Sequence, residues 1–363
     1  MATITSAPTT GIANSLTTGR LPKWATWALL LGSWAVLSLV FVFVQMANEG
    51  SDFNIVAAIF LGTILFDILI FVVAYLVEGI RQAKDRLMTS LVVTAFIIAL
   101  LPLISLLFTV VSKGMARFDP EFFSFSMRNV VGEGGGAIHA ITGTLLITGM
   151  ATLISVPIGL LTAIYLVEYG RGPLAKAITF FVDVMTGIPS IVAGLFAFAF
   201  FSLILDDPGI RFGFGGSVAL ALLMIPVVVR SSEEMLKLVP NELREASYAL
   251  GVPKWLTILK IVIPTSIAGI ATGVTLSISR VIGETAPLLI IAGFATNMNY
   301  DLFSERMMTL PVFLYTQYQS PGTDVQAYTD RAWAAALTLI VIVMALNLIA
   351  RLIAKIFSPK LGR

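Results

Sequence analysis

Long apolar runs separated by short polar interruptions dominate the chain. A membrane-crossing helix needs about 20 mostly apolar residues. Eight stretches approach or exceed that length: 24–48, 53–77, 87–112, 136–167, 177–205, 213–229, 262–292 and 333–355, of which 213–229 is the shortest. The pattern predicts an all-α, polytopic transmembrane bundle of about eight spans. Charged residues fall well inside three of the runs: Asp67 in the second, Asp183 in the fifth, and Arg280 with Glu284 in the seventh. Ahead of the first run, residues 1–19 carry no charge and are rich in Ser, Thr, Ala and Gly. This composition predicts a disordered tail over 1–23 rather than a signal peptide, which opens on basic residues.

Composition narrows the class further. Hydrophobic residues make up 57% of the 363 positions and charged residues 12%, against about 25% charged in soluble domains. A soluble fold would have to expose large apolar patches, which soluble monomers avoid. The net charge of +2 gives no basis for nucleic-acid binding. With no cysteine and a single histidine, His139, thiolate and His-cluster metal sites are excluded. Nothing calls for a cofactor. With both termini on one side, sixteen of the 23 Lys and Arg residues fall on that side. Only Lys113, Arg117, Arg128, Arg211, Arg306 and Arg331 fall on the other. The bias of basic residues towards the cytoplasm therefore predicts two cytoplasmic termini in a multi-pass protein of the cytoplasmic (inner) membrane.

Two loops are long enough to carry structure of their own. The outer loop 113–135 is aromatic and runs into Gly-Glu-Gly-Gly-Gly at 132–136, a flexible entry to the next span. The inner loop begins at Arg230. Within it, 242–250 (ELREASYAL) reads as a short helix, with Glu242 and Glu245 suited to its N-terminal end. Gly251 stands where a left-handed C-terminal cap belongs, and Pro253 can open the next helix. Leu243, Ala246 and Leu250 share one face. Such a unit is either an ordinary connection or a docking element for a cytoplasmic partner, since a short helix can lie in a groove of another protein.

The spacing bears on that choice. Glu245-Ala246-Ser247, three residues, Gly251, nine residues, then Ile261-Val262-Ile263-Pro264 resembles the EAA loop of permeases of ATP-binding-cassette (ABC) importers. Ser247 and Ile263 replace the usual Ala and Leu. Ser279-Arg280-Val281-Ile282-Gly283-Glu284-Thr285-Ala286-Pro287-Leu288-Leu289 is similar to a signature of the PstA family of phosphate-importer permeases. Gly187-Ile188-Pro189-Ser190, Thr309-Leu310-Pro311-Val312 and Leu346-Asn347-Leu348-Ile349 follow the same family order. The resemblance covers 87–363 and implies a six-span type I ABC importer permease core with a coupling loop at 230–264. It leaves the two N-terminal spans, 24–86, as an addition without an assigned task. It implies coupling through Glu245, Ala246, Gly251 and Pro264. It also implies a PstC-like permease as partner in a heterodimer, two PstB-like ATPase subunits, a PstS-like extracytoplasmic phosphate-binding protein, and phosphate as cargo within membrane lipid. The chain has no phosphate-cradling G-x-x-x-x-G-K-[ST] loop, so it is not expected to be an enzyme, and ATP hydrolysis is expected on a separate ATPase chain.

A charge at the bilayer centre costs about 2.5–3.5 kcal/mol on insertion scales, so Arg280 and Glu284 are candidates for a task. Either they neutralise one another at i, i+4, or Arg280 meets a phosphate oxyanion through the paired donors of its guanidinium. Arg230 is either an inner-side anchor or, by the resemblance, a second phosphate contact. Asp183 and the break at 187–189 either line the pathway or kink a packed helix. His139 reads as a hydrogen-bonded packing residue, and Asp67 as paired to a neighbour. The competing functions are a permease for another small anion or solute, and a channel or membrane enzyme. An enzyme would need a convergent acid–base constellation, and none is visible.

Overall fold

The computed structural model describes residues 21–47 and 54–357. The predicted tail therefore lies outside the described residues, apart from its last three positions. Among the described residues the structure is helical, without a strand. Two compact units divide the chain at Leu107/Phe108.

The N-terminal unit contains α1 (Lys23–Ala47), α2 (Ile55–Glu78) and the first part of α3 (Ile80–Gly114). Gly62 of α2 lies where a Cβ would collide with Trp34 of α1. The backbones thus meet through a small residue, as membrane helices do. Trp34 Nε1 donates to Thr63 Oγ1 at 3.2 Å. Asp67, the intramembrane carboxylate, accepts from the Ser90 hydroxyl. Arg86 pairs with Glu78 at 2.5 Å. These polar groups are thereby matched inside the unit rather than presented to lipid.

The C-terminal unit contains α4 (Pro120–Ser124), α5 (Ile138–Ile164), α6 (Pro173–Thr186), α7 (Ser190–Ile204) and α8 (Gly213–Lys237). These are followed by α9 (Asn241–Ala249), α10 (Lys254–Thr257), α11 (Ile263–Val281), α12 (Ala286–Ile291), α13 (Leu310–Gln319) and α14 (Val325–Phe357). Its axis is α8, the most buried span. Small residues again set the contacts: Gly159 of α5 sits against Val228, and Gly269 and Gly273 of α11 against Met235 and Ser231. The run 213–229, shortest by hydropathy, is thus the central helix. It does not end at Arg230 as predicted but continues to Lys237. Backbone hydrogen bonding does not stop where charge begins, whereas a hydropathy run does. The same correction lengthens the spans predicted at 87–112 and 333–355.

Two predicted spans are not continuous. The run 177–205 is split into α6 and α7, which meet at 110°. The run 262–292 starts earlier, at Lys254, and its helix stops at Val281. Proline accounts for both interruptions. Inside a helix it lacks the donor and collides with the carbonyl four residues back. Pro189 therefore stands immediately before α7, and Pro287 in the first turn of α12. Pro264 disturbs less, because a π-helical turn over Ile258–Val262 precedes it and absorbs the irregular hydrogen bonding.

Candidate functional site

The helices that follow the two interruptions pack against each other. Gly194 of α7 stands where a Cβ would meet Pro287 Cα at 2.5 Å, so α7 and α12 touch backbone to backbone. Non-helical backbone at membrane depth is tolerated only inside protein or along a watery path. Paired discontinuities near the midplane are a hallmark of transport sites.

Arg280 occupies the last turn of α11, where a cation complements the partial negative charge of a helix C-terminus. At 1.5 Å per residue, it lies roughly 10 Å beyond the α8–α11 contact at Gly273, which is towards the middle of α8. Its side chain is exposed on the single chain. Among the described residues no hydrogen bond or ion pair engages it. Glu284 is not on the same helical face, contrary to the expectation from i, i+4 spacing. The helix has ended, and Glu284 lies in the turn that follows, its N–H bonded to Val281 O at 3.1 Å. The structure forms no Arg280–Glu284 ion pair, so the mutual-neutralisation reading loses its geometry.

Arg230 is held differently. Nη1 donates to Glu233 Oε2 at 2.9 Å, and Nη2 is paired with Asp183 on α6. Glu233 also binds Lys237 at 2.7 Å. Arg230 therefore joins the broken span to the central helix, and Asp183 and Glu233 enter the site beside it. Sequence spacing could reveal Glu233, at i, i+3. The pairing with Asp183, 47 residues away, arises only from packing.

At the other end of α8 from Gly213, the connection to α11 folds as a hairpin of short helices. Gly251 takes φ +75°, the left-handed region in which a side chain costs roughly 1–2 kcal/mol. Arg244 anchors α9 from below: Nη1 donates to Val239 O at 2.6 Å and Nη2 to Leu236 O at 3.0 Å. It thereby satisfies carbonyls orphaned at the end of α8, and it pairs with Glu168 at 2.8 Å. Lys254 donates to the Glu168 carbonyl and lies over the Tyr169 ring at 4.7 Å. Ser247, in place of the usual alanine, is buried against Thr257 Oγ1 at 2.8 Å. The opposite face is bare: Glu242, Leu243, Glu245, Ala246 and Leu250 are all exposed. Pro264 is exposed as well, in the first turn of α11. Sequence reading missed the Glu168–Arg244–Lys254 anchorage, because Arg244 counts there only as one more inner-side charge.

His139 is buried, with Phe313 edge-on at 5.6 Å between ring centroids. Neither ring nitrogen has a hydrogen-bond partner among the described residues, which corrects the expected hydrogen bond. The site is open to apolar packing and offers no acceptor. No cluster of three potential metal ligands occurs among the described residues.

Comparison with known proteins converges on one kind of molecule. The model of a family described as binding-protein-dependent transport system inner membrane component matches residues 155–363. The phosphate transport system permease protein PstA 1 of Mycobacterium tuberculosis is 47% identical over 276 residues, covering 75% of this chain and 89% of that protein. PstA of Pasteurella multocida is 40% identical, covering 77% of this chain and 96% of that one. Among solved structures, a bacterial alginate ABC transporter in complex with an alginate pentasaccharide-bound periplasmic protein superposes with a TM-score of 0.54. Identity is 16%, over 77% of this chain and 97% of that one. The fold is that of an ABC importer permease.

Proposed function

The chain belongs to the binding-protein-dependent transport system inner membrane components, and from that premise we infer that it is the phosphate-translocating PstA-type permease of an ATP-driven importer. The observation that carries this reading is the near-half identity to phosphate permeases across most of their length, joined to a chemistry that suits the cargo. Phosphate cannot cross hydrocarbon without donors to replace its hydration. Arg280 offers a guanidinium level with the middle of α8, without a carboxylate partner among the described residues, and a guanidinium matches phosphate oxygens with paired N–H groups. Glu284 lies close by in sequence without quenching it. Arg230, nearer the coupling end, is the second cation on the route.

The bare face of α9 around Glu245 and Ala246 is the surface on which a separate ATPase subunit docks, with Gly251 and Pro264 shaping the hairpin that presents it. A second, related permease completes the pathway, two ATPase subunits drive it, and a phosphate-binding protein delivers cargo from outside. The basic bias supports a cytoplasmic α9 and cytoplasmic termini. The test is phosphate uptake and phosphate-stimulated ATP hydrolysis by the complete complex in proteoliposomes. Arg280→Lys keeps charge but loses the planar fork, and should retain assembly with strongly reduced uptake; Arg280→Gln should nearly abolish it. Robust transport of another anion with phosphate inert would overturn the assignment of cargo.

A further inference from the structure

The two carboxylates on Arg230 are unequal. Glu233 is 10% exposed and bound by two cations, Arg230 and Lys237. Asp183 is 59% exposed, and among the described residues its side chain has Arg230 as sole partner. Burial and double pairing make Glu233 a fixed neutralising and orienting group. An exposed ion pair contributes only about 0–1 kcal/mol, so the Asp183 contact is readily exchanged. It is also the contact with mechanical consequence, because Asp183 is four residues before the 187–189 break and α6 meets α7 there at 110°. Asp183 and Glu233 border an open cavity of about 380 Å³, with Lys176 and Thr179 also in its lining. Arg230 stands outside that lining, bonded to both carboxylates at its border, so an oxyanion arriving in the cavity meets Lys176 and reaches the guanidinium by displacing the exposed carboxylate.

We propose that Asp183 is a built-in competitor of the translocated oxyanion at Arg230, and that binding of the anion releases α6 from α8 about the 187–189 break. The carboxylate mimics the cargo. While it is in place, the cation's charge is offset and the broken span is latched to the central helix. When phosphate takes the outer fork of the guanidinium, Asp183 is expelled into solvent and α6 becomes free to swing. Glu233 remains, so the cation is never left wholly uncompensated and cargo can leave again. This inference rests on the phosphate-permease reading. It adds to it a positioning residue and a hinge.

The chain has no native cysteine, which makes a direct test possible in the assembled complex. Spin labels at Ala177→Cys and Glu234→Cys, both exposed and neither in the cavity lining, report the α6–α8 distance without ATP. Inorganic phosphate should lengthen that distance. In Asp183→Asn the distance should already be long without phosphate. Half-saturation of ATPase stimulation should then fall about two- to five-fold, the factor an exposed ion pair represents, and Asp183→Glu should restore the parent value. A merely structural bridge would instead lower maximal uptake with half-saturation unchanged. A parent complex that transports phosphate but shows the same distance with and without it overturns the competitor reading. A complex that transports another anion and ignores phosphate overturns the cargo assignment instead.

Discussion

Replacing Arg244 by methionine tests how α9 is held. The guanidinium is 12% exposed and the carboxylate of Glu168 only 5%, so the pair is nearly desolvated. Methionine retains the apolar stem but removes the donors to Glu168, Leu236 O and Val239 O. Breaking one side of a buried pair costs about 3–5 kcal/mol, mostly from the charge left behind. At 1.4 kcal/mol per factor of ten, even the lower bound raises local opening of α9 roughly a hundred-fold. Native-state hydrogen exchange reads this directly as faster exchange of the 245–250 amides, with α5 and α8 little changed. ATP hydrolysis by the complex should persist while phosphate uptake per ATP falls. Changing Glu168 to leucine in the Arg244→Met background removes the stranded charge and should recover part of the protection. Exchange over 245–250 within three-fold of the parent in Arg244→Met would refute the anchorage.

Two further outcomes follow from packing. Gly273→Leu drives a side chain into Ser231 at the α8–α11 contact and should abolish the folded permease. Gly149→Ala, on an exposed face of α5 with open space around it, should raise or preserve the thermal midpoint in detergent. Arg331 is fully buried and donates to Gln317 Oε1, Gly132 O and Gly134 O at 3.0, 2.7 and 3.0 Å. Its Nη2 is unbonded among the described residues. Arg331→Met loses three charged hydrogen bonds, worth about 1.5–3 kcal/mol each, but spares a desolvation penalty of several kcal/mol. The thermal midpoint should therefore move little, while proteolysis or hydrogen exchange within 132–136 rises sharply. An unchanged loop would show that the glycine segment is held by other contacts.

Much of the candidate site was legible one residue at a time. Arg280 stood out because an unneutralised charge inside an apolar run is expensive wherever it occurs. The α9 helix and the Gly251 cap were readable because caps and turns are local. So was the family, since the spacing from Glu245 to Pro264 and the run from Ser279 to Leu289 are linear patterns. Hydropathy located the crossing segments because burial in lipid or protein demands apolar residues at each position, regardless of neighbours.

What the sequence left open was set by the relation of one helix to another. Spacing placed Glu284 on the Arg280 face, yet Pro287 ends the helix before that face can form. Proline predicts a disturbance, but only the folded chain decides among a bend, a 110° break and an absorbed π turn, because neighbours must satisfy the freed carbonyls. Arg230 looked like the end of a span and is instead inside the most buried helix, bonded to a carboxylate 47 residues away. Glu168 and Arg244 are 76 residues apart and meet because α5 and α8 end at the same level. Periodicity and spacing act within a few turns, and they determined which segments cross and which residues cost energy there. Pairings across tens of residues depend on the docking of small-residue faces such as Gly159, Gly269 and Gly273, and that docking exists only in the tertiary structure.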